Sequence, residues 1–240
     1  MTSSKSVQSP SGSSKGPKLP LLRGKINLLF FLIFPIVLFK IFFKQQNLEK
    51  IPFLIFSMCA AFNFLSSIVL HWRIWDQEEY SVLRRIDYAG IFLMIGGGGI
   101  PTYSLLMNND FMVILGLVHW ALIFTGVFSS LLFNFCYTTK RTRSYVYVLI
   151  STPYYVLLPL FVRSRYPSAL VSLIMAGLTY TVGAFVYGFK FPNLIPGVFE
   201  YHELFHIFCL LGFAGTSMAN FFICKNDRST VLQRVFESKY

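Results

Sequence analysis

The sequence predicts an all-α fold: a polytopic membrane protein built as a seven-transmembrane helix bundle. Three observations carry this. Hydrophobic residues make up 55 % of the chain and charged ones only 13 %. Seven apolar stretches occur, each near the roughly 20 residues a helix needs to cross a bilayer. The segments between them are short and polar, as in NND and YTTKRTR. A soluble domain cannot hide so much apolar surface, whereas lipid solvates it.

The stretches follow in order. Residues 1–25 are rich in Ser, Lys, Pro and Gly and hold no acid, which reads as a disordered basic cytoplasmic tail. The first span, 26–43, contains Pro35 and Lys40; the lysine can snorkel to the interface. The second, 51–72, ends in Ser67-Ile-Val-Leu-His71. The polar stretch RIWDQEEYSVLRR reads as a loop with solvated charges. The third span, 87–107, opens on Asp87 and carries Gly96–Gly99 before Pro101; without a following GK[ST], that run reads as close helix packing rather than a phosphate loop. The fourth, 111–136, includes His119, expected to bond a neighbouring helix. In the fifth, 144–162, Pro153 and Pro159 predict kinks. The sixth is 167–188. The seventh, 202–224, begins His202-Glu-Leu-Phe-His206, and 225–240 form a short C-terminal tail.

The formal net charge is +11. The basic residues lie between apolar runs and at the ends, which fits lipid headgroup contacts and topology signals and excludes a nucleic-acid-binding role. Lys and Arg weakly favour the tail side of the connecting segments, so the N-terminus is expected in the cytoplasm. None of the cysteines forms a CxxC pair, and a disulfide framework is not expected.

Span parity then locates chemistry. The end of an even span and the start of an odd one share a membrane face. His71, Asp87, His202 and His206 therefore meet one face whichever way the chain is oriented. His202 and His206 are four apart, about 40° around a helix, and can share one ion. Ser67 and His71 repeat that spacing. Histidine inside a membrane helix is costly and rarely idle. Three imidazoles leave a fourth position free, the open site of catalytic zinc, although copper or nickel also suits imidazole. Asp87 and Ser67 suit the surrounding shell, the carboxylate as a proton acceptor.

The SxxxH of Ser67–His71, the stretch LRRIDYAGIFLMIGGGGIP and the late PGVFEYHELFHIFCLLGF resemble the hemolysin III / progestin and adiponectin receptor family. That family belongs to a superfamily of seven-span putative membrane hydrolases that includes the alkaline ceramidases. The resemblance covers about residues 26–224. It implies a Zn2+ ion on His71, His202 and His206, with Asp87 and Ser67 close by, and a ceramidase-like activity on a membrane lipid amide such as ceramide. A receptor or regulator of lipid or zinc homeostasis, with a structural zinc, is the alternative. Pore formation finds no support, since no polar stripe repeats along the spans. The short tail departs from the long N-terminal region of the adiponectin receptors and brings the chain nearer the short hemolysin III type. Glu203 replaces a Gln found in several relatives and completes a literal HExxH. Its expected role is a solvated interfacial residue, not the general base of soluble zinc proteases.

Overall fold

In a computed structural model of the chain, the structure describes residues 19–44, 50–105, 110–163 and 167–225. The predicted tails lie outside the described residues over 1–18 and 226–240. A 3-10 turn, Ile26–Leu29, leads into α1 (Phe30–Lys44). There follow α2 (Lys50–Trp72), α3 (Gln77–Leu105), α4 (Asp110–Leu132), α5 (Lys140–Ile150), α6 (Pro153–Arg163), α7 (Pro167–Phe189) and α8 (Tyr201–Lys225). Among the described residues the β pairing is one antiparallel bridge between Ile195 and Phe199. The chain is an all-α, seven-span membrane bundle in which α5 and α6 together make the fifth span.

Four helices, α2, α4, α7 and α8, are long and apolar enough to cross a membrane on their own. Their outer faces show why lipid is the solvent. On α4, Ile114, Leu117, Val118, Phe124, Phe128 and Leu132 are all exposed. Facing water, such a continuous apolar face would be an aggregation surface. The inner faces pack phenylalanines. Phe30 stacks on Phe64 at 4.5 Å between ring centroids and meets Phe213 at 5.3 Å, which ties the start of α1 to α2 and α8.

The glycine run lets helices approach. A Cβ on Gly97 would lie 2.6 Å from Cys59 Cβ on α2, and one on Gly126 would lie 2.4 Å from the Phe92 ring. Small residues at such crossings let helix surfaces touch in lipid.

The structure differs from the sequence reading at several points of the fold. The loop expected over 73–85 shrinks, because α3 starts at Gln77. Asp76 caps it, its Oδ1 accepting a hydrogen bond from Glu79 N at 2.8 Å. Glu78 and Glu79 in the first turn favour the positive end of the helix dipole. The fifth span is broken rather than kinked. Ser151 and Thr152 turn their hydroxyls back to the carbonyls of Tyr147 and Leu149, and Pro153 has no N–H to carry the helix through. Finally, residues 19–25, counted with the tail, are docked. Leu21 N and Leu22 N donate to Gly197 O and Val198 O at 3.0 and 3.2 Å, in the segment leading to α8.

Candidate metal centre

The last turn of α2 and the first two turns of α8 bring three imidazoles to one point. His202 Nε2 lies 3.1 Å from His71 Nε2 and 3.0 Å from His206 Nε2. The three ligand atoms all lie within 4.8 Å of one another. The His71 and His206 rings stand steeply to the His202 ring, at 81° and 71°, so the nitrogens converge while the rings splay. His202 and His206 are buried, and His71 is partly exposed.

The donor set fits an ion better than it fits hydrogen bonds. Nε2 of a neutral imidazole offers one proton or one lone pair, not both. His202 Nε2 has a neighbour on each side, so a hydrogen bond with one leaves the other contact unmet. A cation accepts all three lone pairs at once. Nitrogens bound tetrahedrally to zinc at about 2.05 Å stand about 3.3 Å apart, close to the two spacings from His202 Nε2.

Ser67, one turn before His71 on α2, is buried, and its hydroxyl sits beside the Asp87 carboxyl of α3. Asp87 is buried too. It is outside the tight nitrogen cluster.

Glu203 overturns its sequence reading. It is 0 % exposed, not a solvated interfacial residue. Arg23 Nε donates to its Oε1, and its Oε2 accepts from Glu200 N at 2.9 Å. Both carboxylate oxygens are thus engaged by these donors.

Comparison with protein families settles the lineage. The family model of haemolysin-III related proteins matches residues 22–216. This chain belongs to the haemolysin-III related family.

In this haemolysin-III related protein the match takes in Arg23, the three histidines, Ser67 and Asp87. His119 takes no part in the cluster. It is buried on α4 and hydrogen-bonded through Nδ1 to the Tyr103 hydroxyl of α3 at 3.0 Å, as expected of an interhelical bond. Sequence reasoning did not find the cationic and phenolic groups around the centre. Arg143, counted as a loop charge, is buried on α5. It donates to Cys136 O at 3.0 Å and to Thr138 O, and its Nη2 donates to Tyr187 OH at 3.3 Å. Tyr187 OH in turn pairs with Tyr88 OH at 3.3 Å, and the Tyr187 ring lies 5.9 Å from that of His202. Lys140, at the start of α5, donates to Tyr201 OH at 2.7 Å and stands over the Tyr187 ring. The available signal was the run KRTR directly before an apolar span, which the sequence alone reads as topology charge.

Proposed function

We propose that this haemolysin-III related protein is a zinc-dependent hydrolase of a membrane lipid amide such as ceramide, with His71, His202 and His206 as the zinc ligands. The observation that carries the reading is the convergence of three Nε2 atoms at one end of α2 and α8, with Ser67 buried one turn from His71. When bound, zinc supplies Lewis-acid chemistry: it polarises a carbonyl and acidifies water.

The chain's own residues supply the rest. The three imidazoles would hold the ion at the junction of α2 and α8. Asp87, held in a dry environment, takes a proton from the water that attacks the amide carbonyl and returns it to the leaving amine as the C–N bond breaks. Ser67 helps hold the site or the oxyanion. The surrounding helices exclude bulk water, which strengthens each of these charge interactions. The substrate reaches the centre between helices from the lipid. The N-terminus is placed in the cytoplasm on its weak Lys/Arg excess.

One observation favours a second reading. The three ligands join two helices far apart in the chain, so an ion there braces α2 against α8. In that reading the protein is a receptor or regulator with a structural zinc. Purified wild type, His202→Ala and Asp87→Asn incubated with ceramide in mixed micelles separate the two. A hydrolase releases fatty acid, and Asp87→Asn loses at least about 100-fold of that rate while keeping its zinc. Release at one background rate in all three proteins eliminates the hydrolase, and zinc retained in the wild type then leaves the bracing role.

A further inference from the structure

We infer that the N-terminal segment forms a wall of the metal centre, and that Arg23 and Glu203 are a positioning pair that sets how tightly the three histidines hold their ion. The inference rests on the metal-binding reading above.

Glu203 lies between two of the ligands, on the first turn of α8, and is fully buried. A carboxylate taken out of water is strongly destabilising unless it is paired and hydrogen-bonded. Here both conditions are met, and the partner comes from 180 residues upstream. Arg23 Nε takes one oxygen and Glu200 N the other, closing a cap at the start of the helix that presents His202 and His206. Arg23 Nη2 also lies 3.7 Å from Glu200 Oε2.

The next residue reaches the third ligand. A Cβ on Gly24 would stand 2.8 Å from His71 Cβ, and Gly24 has φ +75°, which side-chain-bearing residues rarely adopt. Neighbouring residues of one segment therefore touch both halves of the ligand set: Arg23 the α8 pair through Glu203, and Gly24 the α2 ligand. The segment is fastened at each end. Leu21 and Leu22 bond the backbone of Gly197 and Val198, and Phe30 stacks between Phe64 of α2 and Phe213 of α8. The distance between the ligand-bearing ends of α2 and α8 is thereby clamped from outside the bundle. Groups that orient metal ligands without touching the ion commonly change affinity about 10- to 100-fold when removed.

Two substitutions of opposite charge test this. Arg23→Gln removes a positive charge and Glu203→Gln a negative one. A mere field effect strengthens cation binding in the first and weakens it in the second. A positioning role weakens binding in both. Zinc affinity is read by chelator competition on the full chain in detergent, and the visible absorption of the cobalt(II)-substituted protein reports ligand geometry. The expected result is a loss of about 10- to 100-fold in each single variant, with altered cobalt bands. The double variant is no weaker than the weaker single one, because one interaction is lost once. Arg23→Lys, which keeps the charge, recovers most of the affinity and decides the matter if Arg23→Gln does not fold. Affinities within about twofold of wild type, or shifts in opposite directions, overturn the inference. A wild type that binds no zinc refutes the metal reading instead, so the two failures are distinct.

Discussion

The Nε2 atoms of His71 and His202 lie 3.1 Å apart although 131 residues separate them in the chain. Metal bound there is bound only by the folded bundle, because the unfolded chain does not bring α2 and α8 together. Chelation therefore lowers thermal stability. Zinc at about 100 times its dissociation constant stabilises the folded state by about 2.7 kcal/mol. Melting curves of the detergent-solubilised protein with and without chelator measure this shift, and His71→Ala abolishes it.

His119 tests the boundary of the site from the other side. Its Nδ1 bonds Tyr103 OH deep between α3 and α4, with the Tyr154 ring 5.2 Å from its own. His119→Ala removes that bond and leaves a buried phenol unpaired, a loss of about 1–3 kcal/mol. The melting temperature falls while the zinc content of the folded fraction stays at the wild-type level.

Gly97 tests the packing of α3 on α2. Gly97→Val forces a side chain into a space where Cys59 Cβ already stands 2.6 Å from the new Cβ. Overpacking of this kind destabilises by about 1–3 kcal/mol. Detergent melting of Gly97→Val checks it. A variant as stable as wild type would show that α2 and α3 are not in the close contact described.

The meeting of the three histidines was legible because they obey local rules. Ser67–His71 and His202–His206 share the four-residue spacing of one helix face, and counting spans puts both motifs at one membrane face without any distance. Arg23 and Glu203 obey no such rule. Arginine in a stretch rich in Ser, Lys and Pro looks like tail charge, and nothing local says that its partner lies 180 residues away. Glu203 at the head of an apolar helix likewise looks solvated until a cation is found to cover it. Helix boundaries failed for the same reason. Residues 77–85 are mostly polar, so hydropathy assigns them to a loop, while the Asp76 cap and the acids behind it make them helical. Pro153 was visible, but the break it shares with Ser151 and Thr152 depends on hydroxyls bonding back to the preceding turn.

The most direct test of the metal centre is the metal content of the purified protein beside that of His202→Ala, measured by mass spectrometry after extensive dialysis. Three converging imidazoles predict about one zinc per wild-type chain and a loss of nearly all of it in the variant. A wild type with no stoichiometric metal, or a His202→Ala protein that holds as much as the wild type, would contradict the centre described.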